Sequence, residues 1–154
     1  MKLAYTYDEH HSAGTEWERR ELTDWLTDVF EAPGITISKG CTSEIREHVE
    51  MEFLNEGWAL GVSLDQSHGL KVFAEKDDLA FQLQTGNMSR APYDLLKLQY
   101  LFQAKRIEAA AIALPTKLAA KKMGDNIANA ERVIRELELF DRLITVPILV
   151  VAFE

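Results

Sequence analysis

The chain has 154 residues, with 17 Lys and Arg against 25 Asp and Glu and a formal charge of −8. Hydrophobic residues make up 47% and charged residues 27%, the mix of a chain that buries a core and not of a disordered tail. A single cysteine, Cys41, excludes an internal disulfide framework and a Cys-rich zinc site, and no apolar run reaches the roughly 18–20 residues of a membrane span.

Met1–Asp8 lacks the basic-then-apolar order of a signal peptide, and Lys2–Thr6 reads as a short strand. Apolar residues Trp17, Leu22, Trp25, Leu26, Val29 and Phe30 predict one helix over Glu16–Glu31, stopped by Pro33-Gly34 and followed by an extended piece, Ile35–Ser38. A second helix follows Thr42-Ser43, carries Ile45, Val49, Phe53 and Leu54, and ends at Gly57. Trp58–Leu64 alternates as a half-buried strand does. Leu70–Glu75 and Leu79–Gln84 form a hairpin across Lys76-Asp77-Asp78, closed by Gly86-Asn87. Pro92 opens a helix over Tyr93–Ala104, and Ile107–Leu114 is a buried strand. Thr116 caps a short basic helix through Lys122, Asn126 caps another, and Val146–Phe153 is a last buried strand. No repeat or linker interrupts this order. The expectation is one domain over residues 1–154, an α/β fold with a mixed sheet flanked by helices and strands 107–114 and 146–153 central. A soluble, cytoplasmic chain with no membrane contact is the matching expectation.

Charge is unevenly spread. Residues 1–78 hold seven basic and 17 acidic side chains, and residues 79–154 hold ten and eight. Within the second half, Lys97, Lys105, Arg106, Lys117, Lys121 and Lys122 are interrupted only by Glu108, a local surface that suits phosphates better than the total charge suggests. A solvated helix face is the plainer reading of the same run.

Most familiar reaction motifs are absent: there is no phosphate-binding glycine loop, nucleophile elbow or His-Glu-x-x-His pair. His10-His11 read as surface residues, His48 and His68 are isolated, and Cys41 reads as a small filler. Ser43, Ser63 and Ser89 are scattered, leaving no legible nucleophile–base arrangement for an unrelated small-molecule enzyme. The hairpin is more informative. Gln82 and Gln84 share one strand face while Phe81 and Leu83 take the other, so two amides either face water or need partners in a core.

The run Phe81-Gln82-Leu83-Gln84-Thr85-Gly86-Asn87, followed by Tyr93-Asp94-Leu95-Leu96-Lys97, resembles the catalytic hairpin and following helix of BglII-type restriction endonucleases, members of the PD-(D/E)XK nucleases. The likeness extends to Met1–Tyr5, to Gly57-Trp58 and to Val146–Val150, in the family's order. The resemblance implies a restriction-endonuclease-like mixed sheet and Mg²⁺-dependent cleavage of double-stranded DNA by a homodimer. It also implies an Asp and a Glu that hold the ion, with a third residue that orients water.

Gln84 matches the third position, but Gln82 stands where the resemblance implies Glu, and Phe73 where it implies Asp. Impaired or lost catalysis is therefore expected, since Mg²⁺ prefers anionic oxygen. The candidate catalytic residues are Gln82, Gln84 and Glu75. Asp77 and Asp78 are weak metal candidates, reachable only if the hairpin register shifts, and Asp65 lies in the preceding loop. Asn87, Ser89, Arg90, Lys97, Lys117, Lys121 and Lys122 are the candidate DNA-binding residues. The competing function is a non-catalytic nuclease descendant that works through protein contacts, as an inactive subunit, inhibitor or immunity-like protein. The acidic first half would favour a basic protein partner for it.

Overall fold

The computed structural model describes residues 1–154. Its strands are β1 (Leu3–Tyr7), β2 (Ala59–Ser63), β3 (Lys71–Lys76), β4 (Leu79–Leu83), β5 (Ala109–Pro115) and β6 (Ile148–Phe153). Its helices are α1 (Ala13–Glu18), α2 (Thr23–Asp28), α3 (Thr42–Asn55), α4 (Ala91–Gln103), α5 (Lys117–Met123) and α6 (Ala130–Leu139). All six strands join one mixed sheet in the order β1-β6-β5-β4-β3-β2. β4, β5 and β6 run parallel, and the flanking pairs β1–β6, β4–β3 and β3–β2 are antiparallel. No helix is long and apolar enough to cross a membrane.

The expected central position of the two apolar strands holds: every residue of β5 and β6 is buried. Side chains alternate between two apolar layers, as the pleat requires. Ala109, Ala111, Leu149, Val151 and Phe153 meet α1, α2 and α3 on one side, with Trp17, Phe30 and Phe53 at the centre. Ile112, Leu114, Ile148 and Val150 meet α4 and α6 on the other, through Leu95, Leu98, Leu101, Val133 and Leu137. Helices therefore cover both faces, the arrangement that parallel strands demand.

Buried polar groups fix the layers. The Trp17 indole N–H donates to the Ala110 carbonyl at 3.0 Å, tying α1 to the sheet. Gln99 of α4 accepts from the backbone N–H groups of Thr145 and Val146 at 2.8 and 2.9 Å and donates to Thr145 Oγ1 at 2.9 Å. One buried amide thus anchors the segment leading into β6.

Three local expectations are corrected. The helix expected over 16–31 is two short helices broken at Glu21, which takes φ +57°. A straight helix would separate Trp17 and Phe30 by about 20 Å along its axis. The break instead folds both into one layer, and Arg20 reaches across to Asp78 and Glu108. Ile35–Ser38 pairs with no strand; Ile35 closes a turn on the Ala32 carbonyl at 3.0 Å and is buried there. Asn126, at φ +56°, caps no helix. Asn129 does so instead, accepting from the Arg132 N–H at 3.1 Å in the extended conformation that an N-cap needs. Thr116 caps α5 as expected, accepting from Ala119 N–H at 3.2 Å.

Candidate functional site

The hairpin β3–β4 turns at Asp77-Asp78, with Asp77 at φ +52°, and pairs Ala74 with Phe81 and Glu75 with Ala80. Alternation along β4 sends Phe81 and Leu83 into the α1–α3 layer and turns Gln82 and Gln84 toward α4. There both amides meet one carboxylate. Asp94, in the first turn of α4, is 3% exposed. Its Oδ1 accepts from Gln82 Nε2 at 3.1 Å and pairs with Lys97 Nζ at 2.7 Å, while its Oδ2 accepts from Gln84 Nε2.

The far ends of the two amides are also committed. Gln82 Oε1 accepts from the Phe73 N–H at 3.0 Å, and Gln84 Oε1 accepts from the Gly86 N–H at 2.7 Å. Backbone donors thus fix which end of each amide is oxygen, and the amino groups must face Asp94. Lys97 completes the cluster by donating to the Lys71 carbonyl at 3.2 Å and lying 5.6 Å from the Tyr93 ring centroid.

This cluster floors a cavity of about 450 Å³ whose rim carries Thr42, Arg46, Arg90 and Tyr93. Arg46 pairs with Glu50 at 2.7 Å and stands 5.2 Å over the Phe73 ring, and Arg90 makes no ion pair. The cavity opens at the carboxyl ends of parallel β4 and β5, where open α/β sheets bind ligands. The Gln84 N–H continues that ladder to the Ala113 carbonyl at 2.9 Å. Beyond it, Ala128 donates to Gly86 at 2.9 Å and Met88 to Asn126 at 2.7 Å, so the segment after α5 docks beside the cavity. Lys117, Lys121 and Lys122 are exposed on α5 and form no salt bridge.

The other candidates fall elsewhere. Phe73 contributes its backbone N–H to Gln82, but its ring joins the aromatic cluster of Phe53 and Phe81, at centroid distances of 6.0 and 5.6 Å. Position 73 therefore does not share the face of Gln82 and Gln84. Glu75 is bound to Arg106, which also donates to the Ser63 and Leu64 carbonyls, so it does not join the two glutamines.

Asp77 and Asp78 sit at the opposite end of the hairpin from Gln84. Asp78 is paired with Arg20, whose hydrogen bond holds its carboxyl below the usual carboxylate range. Asp77 lies beside Arg20 and Lys76, and the two acids build no metal site there. Asp65 is occupied by His68 and Ser67. Asn87 accepts from both the N–H and the Oγ of Ser89, at 2.9 and 2.8 Å, as a local cap. Lys97 faces the cavity, yet its ammonium is taken by Asp94. Asp94, Thr42 and Arg46 are cavity residues that sequence reasoning missed. The usable signal was Asp94 with Lys97 at i,i+3 on a helix beginning next to two amides of one strand face.

BglII-type sites imply Mg²⁺, and the residues present do not fit it. The one carboxylate already has its charge matched by the Lys97 ammonium and takes hydrogen bonds from two amides, and each amide oxygen accepts a backbone donor. A single carboxylate neutralised by an ammonium, with no second acid lining the cavity, is a poor holder for a hard cation that prefers anionic oxygen.

Residues 5–153 match the family of restriction endonuclease BglII/BglIII. The structure of restriction endonuclease BglII complexed with a DNA 16-mer superposes with a TM-score of 0.72 at 12% identity, covering 100% of this chain and 78% of that one. Free BglII superposes at 0.62 with 12% identity, over 100% and 80%. None of the curated proteins compared matches the sequence. The structural matches carry the fold and the sequence match covers nearly all residues: the chain belongs to the BglII/BglIII restriction endonuclease family.

Proposed function

We propose that this chain is a family member that grips double-stranded DNA through its phosphates without metal-dependent cleavage. The observation that carries this reading is Asp94, which is bonded to the amides of Gln82 and Gln84 and neutralised by Lys97. A buried carboxylate so satisfied is a structural anchor and not an ion ligand. Around it, Arg90 and the unpaired lysines of α5 supply cations at the strand ends, next to a cavity wide enough for a phosphate. The fold relative crystallised with a DNA 16-mer makes duplex DNA the ligand to test first.

A homodimer fits the same reading. Leu96, Tyr93 and Tyr100 of α4, with Phe140 and Leu143 after α6, are exposed large apolar side chains that meet along one flank. An apolar flank of this kind marks an association surface, and a second copy would set two cavities on one duplex.

Fluorescence anisotropy of a labelled duplex in EDTA tests the binding. Saturable binding is expected, with the logarithm of the affinity falling linearly as log salt rises. Arg90→Ala should reduce that slope by about one phosphate contact. An absence of binding even at low salt, together with capture of a stoichiometric protein partner, would favour action through protein contacts.

A further inference from the structure

We propose that His10, His11 and Asp141 form a binding site for a divalent transition ion of the zinc class, independent of the cavity and of any DNA binding. The two histidines are adjacent in sequence, and Asp141 arrives from the far end of the chain, after α6. Their donor atoms all lie within 4.8 Å of one another. His11 Nε2 is 3.2 Å and His10 Nδ1 is 4.0 Å from Asp141 Oδ1. Donors around a tetrahedral ion with bonds of about 2.0–2.1 Å sit roughly 3.3 Å apart, so modest closure seats the ion. His11 Nε2 now bonds the Asp141 carbonyl at 2.9 Å, a hydrogen bond that ion binding would replace.

Two observations separate this trio from a chance surface group. His10 is 3% exposed, and its Nε2–H donates to the Ile144 carbonyl at 2.8 Å, which leaves the Nδ1 lone pair facing Asp141. A carbonyl partner on the second ring nitrogen is the outer-shell arrangement that orients metal-bound histidines. The backbone is shaped to the same end. His11 and Ser12 occupy left-handed φ of +51° and +61°, costly for non-glycine residues, and this bend sets the rings edge to face at 4.6 Å. The surroundings are anionic as well: the Tyr7 phenol is pushed up by burial first, and then by Glu138, Glu9, Asp141 and Asp8. Two imidazoles and one carboxylate select Zn²⁺, Co²⁺ or Ni²⁺ over Mg²⁺. An ion there would pin the 9–12 turn to the segment entering β6.

The test is calorimetric titration of chelator-stripped protein with Zn²⁺. One ion per chain is expected. His11→Ala and Asp141→Ala, both at exposed positions, should each weaken binding about tenfold or more, while His68→Ala leaves it unchanged. Co²⁺ added to the unmutated protein should shift the ring proton resonances of His10 and His11. Absence of saturable binding, retention of affinity in both variants, or Co²⁺ shifts confined to His48 or His68 would overturn the proposal.

Discussion

Lys97 Nζ lies 2.7 Å from Asp94 Oδ1, and both side chains are largely buried, at 14% and 4% exposure. This pair divides the labour of the cavity floor. Asp94 satisfies the two glutamines, and Lys97 neutralises the carboxylate that would otherwise attract a cation.

Asp94→Asn should therefore have two opposed effects. Removing one member of a buried, hydrogen-bonded ion pair is expected to cost about 3 kcal/mol of stability, read as a lower urea midpoint. It also frees the Lys97 ammonium at the cavity, so duplex affinity at low salt should rise severalfold. Loss of affinity with unchanged stability would contradict the assignment.

Arg20 holds Asp78 and Glu16 below the usual carboxylate range, Asp78 chiefly through its hydrogen bond to the guanidinium and Glu16 likewise. A depressed folded-state value contributes stability above the unfolded value, near 4, and that contribution is lost as pH falls through the folded one. Arg20→Ala should thus be less stable than the parent at pH 7. The gap should close as pH drops below the folded-state range, measured by thermal melts across pH 2–7. Both carboxylates are partly solvated, so the effect is modest.

Leu96→Glu places a charge within the exposed apolar flank of α4, at a side chain that is 57% exposed. Light scattering should show a dimer for the parent and a monomer for the variant, with the melting temperature of the monomer fold little changed. A parent that is monomeric at all concentrations would contradict the dimer.

Phe73→Asp is the substitution that would restore the family's carboxylate by sequence position. Since the Phe73 ring packs on Phe53 and Phe81, the variant should lose about 3–5 kcal/mol, through the missing ring and a carboxylate placed in an apolar layer. It should gain no Mg²⁺ affinity by calorimetry.

The central place of β5 and β6 and the hairpin were legible because β5 and β6 are continuous apolar runs and the hairpin turns at a charged pair, Asp77-Asp78. The break at Glu21 was not, because Trp17 to Phe30 keeps helical spacing and only tertiary packing bends it. The shared face of Gln82 and Gln84 followed from period-2 alternation alone. Their partner did not, since Asp94 lies on a different element, and one sequence does not show which helix covers which strand face. Counting back through the hairpin to position 73 failed for a related reason. It assumed that Phe73 and Gln82 share a face, whereas the Gln82 side chain takes the Phe73 N–H and the ring turns to the opposite layer. His10-His11 looked like surface residues until Asp141 was brought to them by the fold.

The most direct measurement is nicking of supercoiled plasmid in Mg²⁺ and in Mn²⁺, at protein concentrations that saturate duplex binding. The closed Asp94 network predicts no nicking with either ion. Metal-dependent nicking that disappears in Asp94→Asn would contradict it, because that carboxylate would then be serving an ion and not the two glutamines.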